Sequence, residues 1–305
     1  MKKIRVELSQ IIEFLADDLI RIDGNYFGAY IDNIADPESV NETSLDWVNS
    51  TKANKQEIAD NSTAKVLVVD PSVVYSDLMS NVKILLVVDN PRVSMAKIAN
   101  HFFMKKKTPG IHPSAVIDED ADIAPSAYIG PGCVIGKAKI GADTILMANV
   151  TIYDDVAIGD RCLIQAGVVV GTDGLGCSRD ENGILTKFPH LGGVQMGDDI
   201  EVGANSQIAK GSFSNTIIED GCKMNGLCFI AHNCHLEKNV WITGDTMLCG
   251  SVHVGKNTTI FSNVIVRDQC SIGENVTIGM GSVVTKSIPN GETWLGSPAH
   301  KMERR

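Results

Sequence analysis

The amino-acid sequence predicts a mainly β protein, a parallel β-helix of hexapeptide repeats preceded by a small α/β domain. From Ile218 to Val284 every sixth residue is aliphatic, running Ile218, Met224, Ile230, Leu236, Ile242, Leu248, Val254, Ile260, Val266, Ile272, Ile278 and Val284. Four residues after each stands a small or β-branched side chain, among them Cys222, Cys228, Cys234, Val240, Thr246 and Val252. A period of six cannot close on a 3.6-residue turn but is a multiple of the strand period of two, so short strands joined by tight corners fit and a helix does not. Residues 1–105 lack this period and alternate strand-like with helix-like runs instead.

Within 1–105, Leu8 to Leu19 reads as a short amphipathic helix with Ser9 as its N-cap. The runs 66–69 and 84–88 are continuous, β-branched and flanked by polar residues, the pattern of buried strands. Pro91 opens a second helix over 92–104. Asn90 then stands in a strand-to-helix turn, where it either contacts ligand or simply forms the turn. The lysine-rich stretch ending at 106–110 is a solvated linker.

The repeat occupies 111–288. It begins at Ile111, drops one residue between Ile135 and Leu146, and has room for roughly ten coils at 18 residues each, a count that follows from three hexads per coil. Glycine directly after the aliphatic position, as at Gly130, Gly136, Gly141 and Gly255, is expected to turn the corners. At 171–195 the period fails, and a long loop thrown from a regular scaffold is commonly functional. A second slip follows Ala209. The segment 289–305 forms a C-terminal tail.

The chain has 305 residues, 21% of them charged, and a net charge of −10, which disfavours nucleic acid as a partner. No apolar run reaches membrane-spanning length, and Glu7, Ser9 and Gln10 interrupt the N-terminal apolar stretch, so a cytoplasmic protein is expected. Six of the eight cysteines fall in the small slot of the hexad and no CxxC pair exists, so they read as structural rather than metal-binding. Neither a metal nor a permanently bound cofactor is expected.

Histidine is the natural base near neutral pH, and His190, His232, His235 and His253 lie in the repeat domain. His232 follows the aliphatic slot by two residues and points outward. One 18-residue coil places Gly250 beneath it, pairing a base with an exposed backbone N–H as acyl transfer requires. The plainer alternative is an ordinary corner histidine on a non-catalytic β-helix scaffold. His235 and His253 are also 18 apart and would stack, the one feature favouring a metal enzyme of the γ-carbonic-anhydrase type.

The runs Ala-Asn-Val-Thr-Ile-Tyr at 148–153, Val-Val-Gly-Thr-Asp-Gly-Leu-Gly at 169–176, Gly-Ala-Asn-Ser-Gln-Ile-Ala-Lys-Gly at 203–211 and Ile-Ala-His-Asn at 230–233 resemble the UDP-3-O-acylglucosamine N-acyltransferase family of the lipid A pathway. The resemblance implies a left-handed β-helix, a homotrimer with active sites between subunits, and a nucleotide- or sugar-binding role for 1–105. It implies His232 as general base and Gly250 as oxyanion donor, with Asn233, Asn225 and Asp173 as substrate contacts. Trp47, Asn49 and Asn90 are candidates for the nucleotide.

The sequence departs from the family at Lys210, where the family has Arg, at Asn225 in place of Asp, and at Gln269 in place of a second His. Its ending Trp-Leu-Gly-Ser-Pro-Ala resembles that of coenzyme A-dependent hexapeptide acyltransferases, which makes Trp294, Gly296 and Ser297 candidates for the donor. The expectation is an N-acyltransferase moving a short acyl group from acyl-coenzyme A to a nucleotide-linked amino sugar of a surface polysaccharide. The alternative is the lipid A reaction itself, with an acyl-carrier protein as donor.

Overall fold

The computed structural model describes residues 4–35, 38–80 and 82–302. The chain forms two compact units, Met1–Lys106 and Lys107–Arg305.

In the first unit a five-stranded sheet runs in the order Leu19–Asp23, Ile84–Val88, Val66–Val69, Ser44–Trp47 and Asn33–Ile34, parallel except for the Leu19–Asp23 edge. Side chains alternate across it. Val66 and Val68 pack under Leu8, Ile11 and Met95, whereas Leu67 and Val69 meet Ala59, Val73 and Met79 on the other side. Both faces are covered, which is why these strands are apolar throughout.

The first helix is shorter than its apolar pattern suggests. It ends at Leu15, a 3₁₀ turn follows, and Leu19 already pairs with Val88 as a strand. Its N-cap is Glu7 rather than Ser9, with the Glu7 N–H donating to Gln10 Oε1 at 3.1 Å. The last helix runs Pro91–Ile98 and relaxes into a π turn over Ala99–Phe103.

The second unit is a parallel β-helix, a prism with three sheet faces. One coil illustrates the rule: Lys223–Met224 on the first face, Phe229–Ile230 on the second, His235–Leu236 on the third. Each strand pairs in parallel with the one 18 residues on, as Met224 with Ile242, Ile230 with Leu248 and Leu236 with Val254. The second residue of each pair points inward. All twelve aliphatic slots from Ile218 to Val284 are at most 2% exposed. Burying each such side chain contributes about 1.5–3 kcal/mol, enough to fix the register coil by coil.

The corners depart from expectation. The residue that turns each corner in the left-handed backbone region lies three positions after the slot, and it is usually Asn or Asp: Asn233 (φ 59°), Asn239, Asp245, Asn257, Asn263 and Asn275. Their short polar side chains tolerate this conformation. The glycines after the slot serve close approach between coils instead. A Cβ on Gly255 would lie 2.6 Å from the Glu274 backbone nitrogen, and one on Gly141 would lie 2.4 Å from the Gly159 carbonyl.

The small slot has its own chemistry. Buried Thr144, Thr246 and Thr258 donate their hydroxyls to the carbonyl fifteen residues on, and Cys222, Cys228 and Cys234 direct their thiols at that same carbonyl, as Cys133 does at the Met147 carbonyl, fourteen on across the shortened step. The cysteines thus replace threonine without orphaning an acceptor.

Among the described residues, the departures from the six-residue step fall on one edge of the prism, between the second and third faces. The steps from Ile135 to Ile140, Val170 to Met196, Ile208 to Ile218 and Val284 to Ile288 all cross it. The largest carries an antiparallel hairpin, Cys177–Arg179 against Leu185–Lys187. Among the described residues, no helix is long and apolar enough to cross a membrane.

Candidate active site

His232 sits on this irregular edge, at the corner between the strands Phe229–Ile230 and His235–Leu236. Its neighbour Asn233 turns the corner and also fixes the ring. Asn233 Nδ2 donates to Ser214 Oγ at 2.9 Å and to the Ser214 carbonyl at 3.3 Å. The amide is therefore oriented, and its Oδ1, which accepts from the Ser212 N–H at 3.0 Å, faces His232 Nδ1 at 3.0 Å. A carbonyl oxygen only accepts, so His232 Nδ1 carries the hydrogen and Nε2 keeps its lone pair.

The Nε2–Cε1 edge of the ring lies over Gly250. A Cβ there would lie 2.6 Å from His232 Nε2, so only glycine lets the ring settle at this height. Ser251 N–H donates to the His232 carbonyl at 2.9 Å and clamps the two coils together. Among the described residues, the Gly250 N–H donates to no acceptor. The stacking of His232 over Gly250 expected from the 18-residue coil is present in the geometry.

A second imidazole joins them that sequence reasoning did not single out. His190 returns from the excursion loop, is 5% exposed, and its ring meets that of His232 edge to face at 5.2 Å. Gly174 lies beneath both: a Cβ there would be 2.5 Å from His190 Nε2 and 2.9 Å from His232 Cδ2. Burial, and next the neighbouring His232, lower the pKa of His190 and hold it neutral. The available signal was its place in the one segment where the repeat fails.

Asp173 stands one residue before Gly174 and is held by Lys187 at 2.5 Å and Lys210 at 3.3 Å. The Lys187 hydrogen bond lowers its pKa, with Lys210 adding to the effect. It ties the loop to the coil. Leu175, Phe188, Leu191 and Phe213 expose apolar surface on these same loops, with the two phenylalanine rings edge to face at 5.2 Å.

The other candidates lie elsewhere. Asn225 follows Met224 at the corner between the first and second faces, with Trp241, Glu201 and Gln165 around a pocket of about 410 Å³. Trp294 belongs to the apolar core at 6% exposure, and its indole N–H donates to Glu292 at 2.7 Å. It closes the end of the prism and presents no free ring to a donor. Gly296 supplies a left-handed turn (φ 99°), and Ser297 is exposed beside it.

In the first unit, Trp47 and Asn49 line a pocket of about 690 Å³ with Asp46 and Lys52. Asn90 is a helix cap, its side chain accepting from the Val93 N–H at 3.3 Å. His235 and His253 stack at 5.0 Å, each held by a glutamate, Glu219 and Glu237. Among the described residues, no three His, Cys, Asp or Glu side chains group as a metal site.

Residues 137–172 and 251–286 match the bacterial transferase hexapeptide (six repeats) family. The chain is 37% identical over 186 residues to a UDP-3-O-acylglucosamine N-acyltransferase of Coxiella burnetii (strain Dugway 5J108-111), covering 54% of each chain. It is 39% identical over 168 residues to one of Pseudomonas entomophila (strain L48), covering 48% of each. The chain thus spans about half the length of the curated relatives it matches.

Among solved structures, UDP-N-acetylglucosamine O-acyltransferase from Moraxella catarrhalis RH4 is similar with a TM-score of 0.58 and 26% identity, over 63% of this hexapeptide-repeat chain and 73% of that one. The UDP-N-acetylglucosamine acyltransferase of Francisella novicida also gives 0.58 and 26%, over 63% and 70%.

Proposed function

We propose that this protein is an N-acyltransferase that moves an acyl group from a thioester to the amino group of a nucleotide-linked sugar. The observation that carries the reading is the His232 ring, whose Nδ1 faces Asn233 Oδ1 and whose Nε2 edge packs over Gly250. The named activities of the relatives support it.

In the proposed reaction His232 Nε2 takes a proton from the sugar amine as its nitrogen attacks the thioester carbonyl. The Gly250 N–H donates to the oxyanion that forms, an interaction that strengthens as charge develops. The C–S bond then breaks, and the leaving thiolate takes the proton from the His232 imidazolium. Removing a base of this kind costs about 10²–10⁴ in rate. The apolar surface of Leu175, Phe188, Leu191 and Phe213 suits the acyl chain.

We assign the nucleotide to the pocket of Trp47 and Asn49 and the trimer to the family's pattern. With a net charge of −10, the chain lacks the general basic bias that an acidic carrier protein would seek, which favours acyl-coenzyme A as donor. The lipid A reaction with an acyl-carrier protein is the second reading, favoured by the name that the curated relatives share.

A thiol-release assay tests both. Acetyl-, 3-hydroxybutyryl- and long-chain acyl-coenzyme A are run beside 3-hydroxyacyl-carrier protein against UDP- and dTDP-linked amino sugars, with His232→Ala as control. Release from short acyl-coenzyme A, lost in the variant, supports the first reading. Release only from carrier protein with UDP-3-O-acylglucosamine supports the second. Release by no pair, or full activity in His232→Ala, refutes the assignment of His232 as base.

A further inference from the structure

Different segments confine the His232 ring on its different sides. Nδ1 faces Asn233 Oδ1 at 3.0 Å, the Nε2–Cε1 edge lies over Gly250, and Cδ2 lies over Gly174. His190 supplies a further wall, its ring meeting that of His232 at 5.2 Å and 70°. The backbone fixes His190 on either side: Phe188 N–H donates to the Gly176 carbonyl at 2.7 Å, and Leu191 N–H donates to the Ser212 carbonyl at 2.6 Å. Asp173, bound by Lys187 and Lys210, pins the loop beside Gly174. The His190 nitrogens take no part in this. Both are shielded without a hydrogen-bond partner, and the Phe188 backbone acts on the ring without completing a bond. Buried polar groups are normally paired, so an imidazole that binds nothing through its nitrogens is explained by its flat shape instead.

We propose that His190 is a positioning residue whose ring, together with Gly174, is the wall that holds His232 in the rotamer placing Nε2 over Gly250. The inference rests on the acyl-transfer reading and deepens it. The Asn233 hydrogen bond orients the ring but is a pivot rather than a clamp, because such bonds tolerate a broad range of angles. Rocking about it would carry Nε2 off Gly250 while Nδ1 stayed bonded. Packing prevents this, since a close-packed ring cannot swing without displacing its neighbours. The stakes are high at a reacting group, where a displacement of about 1 Å can cost about 10²-fold in rate. His190 is itself closed off at 5% exposure, so its loss should act on turnover and leave substrate binding in place.

The test uses the full chain with ¹⁵N-labelled imidazoles. The His232 Nδ1 proton, held by Asn233 in wild type, should broaden or vanish in His190→Ala. In the thiol-release assay the same variant should lose about 10- to 100-fold in kcat, with KM for donor and acceptor changed less than about twofold. His190→Gln, whose flat amide refills the space, should restore the Nδ1 signal and recover kcat to within about fivefold of wild type. Gly174→Ala presses on the ring from its other side, at 2.9 Å from Cδ2, and should also lower kcat. It decides the matter where His190→Ala does not keep the circular dichroism spectrum of the coil. Wild-type kcat in the deciding variant overturns the inference, as does a loss that falls on KM, an unchanged Nδ1 signal, or a His190→Gln as impaired as His190→Ala. A wild type that releases no thiol refutes the acyl-transfer reading alone, and the Nδ1 signal then still decides whether His190 holds the ring.

Discussion

Asn233 Oδ1 stands 3.0 Å from His232 Nδ1 while Asn233 itself turns the corner at φ 59°, so one residue sets both the backbone bend and the tautomer of its neighbour. The two roles can be separated by substitution. Asn233→Gly keeps the left-handed backbone without strain but removes the acceptor. Thermal stability is expected to fall modestly, since the hydrogen bonds to Ser212 and Ser214 are lost as well, whereas kcat falls about 10- to 100-fold as the wrong tautomer becomes populated. Asn233→Asp, which keeps an oxygen at that place, should retain more activity than the glycine variant. Equal losses in both would refute tautomer control.

Gly250→Ala places a methyl 2.6 Å from His232 Nε2, well inside contact distance. The ring must swing away, and activity in the thiol-release assay should drop by about 10³, the scale of losing base and oxyanion geometry together. The circular dichroism spectrum should be unchanged, because the coil backbone need not move. Wild-type activity in this variant would mean that His232 acts in another rotamer.

Acid stability should carry a His190 contribution. Its folded pKa lies below the unfolded value near 6.5, so the unfolded chain takes up the proton first as pH falls. The stability lost therefore begins just under that unfolded value and grows down to the folded one. Melting temperature measured from pH 7.5 to 5 should decline more steeply in wild type than in His190→Phe. Parallel curves would show that His190 is not held neutral.

Thiol reactivity should divide the cysteines by slot. Burial pushes Cys162 and Cys222 up to about 11 and Cys234 up to about 12. Cys177, on the hairpin, is exposed, and Cys249 is partly so. With a thiol reagent at pH 8 the native protein should label quickly at Cys177 and slowly at Cys249, with the six slot cysteines appearing only on denaturation. Fast labelling of Cys133 or Cys270, read by mass spectrometry, would contradict the coil packing.

The sequence made the repeat domain legible because a six-residue period over twelve slots admits few structures. It made the His232–Gly250 pairing legible because 18 residues per coil converts spacing into stacking. The same arithmetic puts Asn225 at a different corner from His232, since one follows the first-face slot and the other the second-face slot. His190 escaped because the excursion has no period, and without a period a residue's number says nothing about its neighbours. The glycines after each slot were misread for a related reason. Their cause is contact with the coil below, 18 residues away, and not the local turn. Trp294 looked like a ligand contact in an isolated motif, but the end of a solenoid needs an apolar lid.

The edge between the second and third faces absorbs the four changes in repeat length while the inward residues stay in step. Inserted or deleted residues there cost the core nothing, because the strands on either side rejoin their columns. A chain built this way can exchange the loops on this edge as cassettes without renegotiating its foldability. Grafting the 173–193 segment between related prisms should therefore transfer specificity and leave the melting temperature to the host.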